Sequence, residues 1–136
     1  MRRILLACLL LMSVTVFADQ VTVSWTLPNS YCNQTVIQAG EITQMEIYVS
    51  TSTISASDVP CGGVADTPPP GGTATVVTPD PNLQQVDIDL APGVTYFLRA
   101  RVQVVTGEWS NFSSETQRFV PFPRPDVPTI TIINLN

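Results

Sequence analysis

The stretch VTYFLRARVQVV at residues 94–105 shows the longest strict alternation of apolar and polar side chains in the chain. One face carries Tyr96, Leu98, Ala100, Val102 and Val104. The opposite face carries Phe97, Arg99, Arg101 and Gln103. Because successive side chains of a strand point to opposite sides, this period of two predicts a long β-strand whose apolar face packs on a core.

The same period appears on both sides of this stretch. Strict alternation occurs at residues 21–27, 45–50 and 86–90, and weaker patterns predict strands at 73–78 and 113–120. Turn clusters rich in Pro, Gly, Ser and Thr separate them, the longest between residues 51 and 82. No stretch after residue 18 has a helical period. Six or seven short strands of this kind predict an all-β fold.

The first 18 residues have the pattern of an export signal. Arg2 and Arg3 precede an apolar run at 4–17, and small residues at 16–18 form a cleavage site, so the mature chain is expected to begin at Asp19. A retained segment is the alternative, although the run is shorter than the roughly 20 residues that span a bilayer. The expected location is the periplasm, the cell surface or the medium.

Composition argues against several classes of function. The 136 residues fit one domain and contain no histidine, which removes the commonest catalytic base and metal ligand. Without the signal, four arginines face eleven carboxylates, a net charge of −7, which disfavours nucleic acid and anionic lipid. Asp87 and Asp89 share the outward face of one predicted strand, with no third ligand near them in the pattern. We therefore predict no enzyme activity, no metal and no cofactor.

Two of the three cysteines, Cys32 and Cys61, belong to the mature part. An oxidising compartment favours a disulfide between them. The chain-entropy model assigns such a bridge about 3.5 kcal/mol of stabilisation. The bridge would also hold down the long 51–82 segment.

Several motifs together resemble a fibronectin type III domain. They are Trp25 on an early strand, IYVS at 47–50, LAPGVTY at 90–96, LRARV at 98–102 and GEWS at 107–110. The resemblance covers residues 19–120 and implies an antiparallel, immunoglobulin-like sandwich of two sheets. It also implies that Tyr96 forms a tyrosine corner with nearby backbone and that Trp25 lies in the core. A disulfide is uncommon in this family, and its first strand is missing here, because only Asp19 and Gln20 precede Val21.

The sequence GEWSNFSS at 107–114 follows the longest predicted strand. In the family that it resembles, a tryptophan-serine box can lie over arginines on the outward face of that strand, which makes a structural clip one interpretation. The other is an exposed platform for a sugar or a protein partner. Its residues would be Phe97, Arg99, Arg101, Trp109 and Phe112.

The residues after the sandwich, 121–136, divide into a Pro-rich linker and a strand-like tail. The linker at 121–128 contains four prolines. The tail carries the predicted assembly strand, Thr129, Ile130, Thr131, Ile132, Ile133 and Leu135. The tail resembles the missing first strand, so it could be supplied to a neighbouring copy by β-augmentation, with pairing to its own chain as the alternative.

These observations predict an exported, non-catalytic structural or adhesive module in a cell-surface or particle assembly. Its expected partner is another protein or a second copy bound through the C-terminal strand, and no stable membrane span is expected after signal cleavage. The alternative is a secreted carbohydrate-binding accessory module, which the aromatic residues would favour.

Overall fold

A computed structural model of the chain describes residues 18–60 and 74–123. In these ranges the chain forms six strands: β1 (Asp19–Ser24), β2 (Ile42–Ser50), β3 (Thr75–Val77), β4 (Gln85–Leu90), β5 (Val94–Val104) and β6 (Thr116–Val120). The only helical element in the described ranges is a short 3-10 turn, Pro81–Leu83. The predicted all-β fold is confirmed, and each strand predicted between residues 21 and 120 overlaps one of the six. The predicted export signal up to residue 17, most of the linker and the predicted assembly strand lie outside the described residues.

The strands form two antiparallel sheets. One sheet has two strands in the order β1-β4, and the other has four in the order β3-β2-β5-β6. Strand β5 is paired along both edges, with β2 on one side and β6 on the other. The alternation at 94–105 therefore belongs to an interior strand, which explains why it is the longest run.

The core lies between the two sheets. The alternating positions of β2 and β5 that face inward supply most of it, and Val120 of β6 closes one end. The buried cluster consists of Ile42, Met45, Ile47, Val49, Leu90, Leu98, Val102, Val104 and Val120. Val21, Val23 and Trp25 of the smaller sheet pack against it but remain only half-buried. The smaller sheet thus covers the core incompletely.

The outward face of the larger sheet is also covered, contrary to the simple expectation of one solvated face. On β2 the outward residues Tyr48 and Ser50 are buried, and on β5 Arg101 is only 7% exposed. Two irregular segments, 53–60 and 108–114, lie over this face and make hydrogen bonds to it or to each other. The alternation predicted the strands correctly but could not show that a second layer covers their polar side.

The segment 51–60 is held by side chains from the other end of the chain. The Ile54 amide donates to Glu115 Oε2 at 2.6 Å, and its carbonyl accepts from Arg99 Nε at 2.6 Å. The Asn111 side chain bonds both the amide and the carbonyl of Val59, at 3.2 and 3.1 Å. These four hydrogen bonds anchor this part of the long segment to the larger sheet and to the residues 108–115.

The turn between β4 and β5 fixes where the chain leaves the sandwich. Gly93 has φ 77°, a left-handed conformation that favours glycine, and its amide donates to the Val120 carbonyl at 2.6 Å. The ring of Phe122 occupies the space that a Cβ at Gly93 would need. Residues 121–123 therefore lie against this turn.

Candidate functional site

The segment 108–114, here called the tryptophan-serine segment, runs along the part of β5 that β6 does not reach. Strand β6 pairs only with Val94–Leu98. Beyond that point the amides of Ala100 and Val102 donate to the hydroxyl oxygens of Ser113 and Ser110, both at 3.0 Å. The amides of the same serines donate back to the carbonyls of Ala100 and Val102, both at 2.8 Å. The serines thereby satisfy backbone groups that would otherwise lack partners.

The guanidinium of Arg101 is stacked among three aromatic rings. Its Cζ atom lies 4.3 Å from the ring centroid of Trp109, 5.0 Å from that of Phe112 and 5.6 Å from that of Tyr48. The rings of Tyr48 and Phe112 meet edge to face at 5.2 Å. This geometry allows cation–π attraction to each ring, which is stronger for a desolvated guanidinium than for an exposed one.

The charge of Arg101 is balanced by Glu46. Both Nε and one terminal nitrogen of Arg101 lie 2.9 Å from Glu46 Oε2. The hydroxyl of Tyr48 donates to the same oxygen at 2.7 Å and accepts from Arg101 at 3.1 Å. Burial, and then the bond to Glu46, raise the pKa of Tyr48 above its ordinary value. The three side chains form one network that holds a buried charge in place.

The residues predicted as a clip or a platform are only partly brought together. Trp109 lies over Arg101, as the clip interpretation predicts. Arg99 instead bonds the carbonyls of Ile54 and Ser113 and lies 3.9 Å from a carboxylate oxygen of Glu115. Phe97 is half-buried on the same face of β5 and makes no ring contact with the cluster. Arg101 is too deeply buried to present its charge to a ligand in solution.

Glu46 and Tyr48 are the members of this network that sequence reasoning missed. They occupy alternate positions of β2, opposite Arg101 and Arg99 in the register. The sequence feature that could have identified them is the outward-facing set of alternate residues in MEIYVS at 45–50, which includes a carboxylate and a phenol. Nothing in that pattern shows which strand lies beside it, because strand order is a tertiary property.

The two residues assigned from the resemblance make specific polar contacts. The hydroxyl oxygen of Tyr96 accepts a hydrogen bond from the Ala91 amide at 3.0 Å, which is the backbone contact that a tyrosine corner requires. The indole nitrogen of Trp25 donates to the Pro81 carbonyl at 3.0 Å while the ring packs on the core.

Of the two cysteines in the predicted disulfide, only one lies in the described part of the chain. Cys32 lies in an exposed turn, and Cys61 lies outside the described residues. Cys32 and Pro60, the residue before Cys61, line the same cavity. The pairing stays a prediction.

A large cavity opens on the side of the sandwich where the two sheets fail to meet. Its volume is about 1720 Å³, and it is bordered by β1 of the smaller sheet and β6 of the larger one. Apolar side chains form its floor, including Val21, Val23, Leu98, Val102 and Val120. We call this cavity the lateral groove.

The lateral groove is bordered by two sheet edges, β1 and β6, and by the tryptophan-serine segment. Within the described ranges β1 pairs only with β4, and β6 pairs only with β5. Arg118 of β6 lies opposite Tyr96 in the register, lines the groove and is exposed. An edge strand presents a row of backbone donors and acceptors, so the groove combines an apolar floor with hydrogen-bonding walls.

The outward face of the smaller sheet is simple. Asp87 accepts a hydrogen bond from the Thr22 hydroxyl at 2.6 Å across the strands.

Among the residues described, no three His, Cys, Asp or Glu side chains are grouped so that they could hold a metal ion. Nor does any helix in that part of the chain have the length and hydropathy needed to cross a bilayer.

The fold and the groove define a class: a two-sheet β-sandwich with an open side. The chain matches no family model, no curated protein and no solved structure.

Proposed function

We propose that this chain is an exported, non-catalytic module that serves a structural or adhesive role in a cell-surface or particle assembly. The observation that carries the proposal is the lateral groove, because an apolar floor between two strand edges suits an extended polypeptide. A bound strand would gain backbone hydrogen bonds from an edge and would bury alternate side chains in the core.

A protein partner agrees better with the contacts than a sugar does. Sugar-binding platforms need aromatic rings with an accessible face. Trp109 and Phe112 are half-buried and stacked on Arg101, and Arg101 is paired with Glu46. The side chains of Arg101, Trp109 and Phe112 also line the lateral groove, but they are held in contacts within the chain, whereas the floor of the groove is apolar.

We further propose that the sandwich is of the fibronectin type III kind, with the first strand of that fold not among the described strands. The bond from the Ala91 amide to Tyr96 and the position of Trp25 support this. The lateral groove borders β1, the strand that the missing one would pair with. A disulfide between Cys32 and Cys61 also belongs to this proposal, supported by the shared cavity of Cys32 and Pro60.

The proposed function is tested in the organism that makes the protein. We expect the chain to be recovered outside the cytoplasm, beginning at Asp19 and without a free thiol. Val23→Arg places a charge in the groove and should exclude the protein from its surface or particle assembly. Gln85→Arg, at an exposed residue of β4 that does not line the groove, is the matched control and should assemble normally.

Both variants are compared by circular dichroism and thermal melting, so that a folding defect is recognised. Should the first variant unfold, Val21→Gln takes its place, at a half-buried residue that lines the groove. Recovery of the wild-type chain in the cytoplasm, or normal assembly of a folded groove variant, would contradict the proposal.

A further inference from the structure

The lateral groove has the chemistry of a site for one β-strand, because strand edges border an apolar floor. We infer that its occupant is the segment 129–136 of a second copy of this chain, which would link copies head to tail. The inference rests on the proposed function and names the partner for the same groove. Three features support it: the point where the chain leaves the sandwich, the length of the linker, and the composition of the tail.

The chain leaves the sandwich at the end where β1 begins. Asp19, the first residue of β1, pairs with Leu90, the last of β4. Val120, the last residue of β6, pairs with Val94, the first of β5. Since one short turn joins Leu90 to Val94, the start of β1 and the end of β6 lie at the same end of the sandwich.

This geometry makes antiparallel pairing of the tail with its own β1 difficult. Such a strand would have to begin beside Ser24, at the far end of β1, and six residues of strand span about 20 Å. Because Phe122 is packed on Gly93, only residues 124–128 could cover that distance. The six steps from residue 123 to residue 129 reach about 19 Å as extended polyproline helix. The linker could follow this route only if it ran almost straight along the whole of β1.

If the tail pairs with a neighbouring copy, it does not have to run back along its own sandwich to Ser24. If the far end of its sandwich lies below the exit point, the tail enters beside the end of its β1 and runs antiparallel to it. The linker then only joins two adjacent ends, for which residues 124–128 are long enough. The same relation repeats from copy to copy, so the contact is heterologous and can extend into a chain of subunits.

The tail has the composition of a strand that completes a core. The sequence TITIINLN at 129–136 contains no charge, three isoleucines and two threonines. β-Branched residues suit a pleated, half-buried surface. Val21 and Val23 would gain apolar neighbours on the floor, and the open edge of β1 would gain hydrogen-bonding partners. Arg118 at the rim is an inward charge of the kind that restrains unspecific pairing of sheet edges.

The first experiment prevents the tail of the full chain from pairing as a strand. It uses a proline, whose effect on backbone hydrogen bonding does not depend on which face of the strand points inward. Thr131→Pro removes a backbone donor from the middle of the proposed strand. Val127→Pro is the control, because it introduces a proline in the linker, outside the proposed strand. Mass is measured by light scattering across a concentration series. We expect wild type and Val127→Pro to form species of two or more chains and Thr131→Pro to remain a single chain.

The second experiment mixes two variants that are each defective on one side. Val23→Arg keeps an intact tail but has a blocked groove, and Thr131→Pro keeps an intact groove but has a blocked tail. Together they should give a dimer, twice the mass of either alone, and nothing larger. A mixture that stays monomeric would overturn the inference.

The remaining outcomes identify other occupants. If wild type is a single chain at every concentration and Thr131→Pro lowers its melting temperature, the tail occupies its own groove and the inference is wrong. If Val23→Arg prevents assembly in the native organism but Thr131→Pro does not, a different protein fills the groove. In that case the proposed function stands and self-association fails.

Discussion

Arg101 shows at the level of one residue how this fold uses its few charges. It is nearly inaccessible, yet its guanidinium is paired with Glu46 and enclosed by three rings. A buried ion is costly unless its geometry is good and its remaining donors have partners. The network therefore specifies how the tryptophan-serine segment sits on β5.

Trp109→Ala tests this role directly. The substitution removes the nearest ring from Arg101 and part of the cover over β5, so we expect the free energy of unfolding to fall by about 2–3 kcal/mol. Phe119→Ala, at a residue that is 54% exposed on β6, is the control and should cost much less. Denaturant melts of the two variants compare them. Equal losses would mean that the stacking contributes nothing particular.

The raised pKa of Tyr48 predicts a dependence of stability on pH. Burial and the bond to Glu46 favour the neutral phenol in the folded state. The contribution is fully present below the unfolded pKa of about 10 and is lost as the pH rises through the higher folded value. Ultraviolet titration should show phenolate forming late, and Tyr48→Phe should remove that late component.

Tyr31→Phe is the control, because the pKa of Tyr31 is also raised and its own component should be lost instead. If Tyr48→Phe removes a phenolate signal that forms at or below the ordinary tyrosine pKa, the prediction is wrong.

At the level of elements, β5 is longer than its partner β6, and the tryptophan-serine segment compensates for the difference. Eleven residues of β5 face only five of β6. Serine hydroxyls continue the hydrogen bonding where the regular ladder stops. The tryptophan-serine segment thus acts as an irregular sheet edge, in which serine side chains accept the hydrogen bonds from the amides of β5.

The double variant Ser110→Ala/Ser113→Ala should expose this arrangement. It removes the acceptors of the Val102 amide, which is part-buried, and of the Ala100 amide, which is exposed. The loss of such a hydrogen bond costs about 0.5–1.5 kcal/mol. We expect faster hydrogen exchange at these two amides together with lower stability. Ser114→Ala, at an exposed neighbour, should leave both unchanged. Unaltered exchange in the double variant would show that the hydroxyls are not needed.

At the level of the whole molecule, the two sheets formed by the described residues are unequal, with two strands in one and four in the other. The consequence is an apolar groove that remains open on one side, bordered by two edges. Open edges invite association, and proteins that keep them usually protect or use them. The head-to-tail proposal gives this imbalance a use, and the mixing experiment with complementary variants decides it.

Local pattern by itself determined most of the strands of this protein. A period of two depends only on neighbouring residues, so the alternation at 94–105 predicted β5 nearly to its ends, and 86–90 predicted β4. The turn at LAPGVTY likewise placed Tyr96 near the backbone that it contacts, because both partners lie within a few residues.

Only the tertiary structure decided which strands are neighbours and what covers their polar faces. Glu46 and Arg101 are 55 residues apart in the chain and meet because β2 lies beside β5. The lateral groove is likewise a property of two sheets of unequal width, which no single stretch encodes. Such contacts depend on how distant segments share one core, and a pattern of neighbouring residues carries no information about that choice.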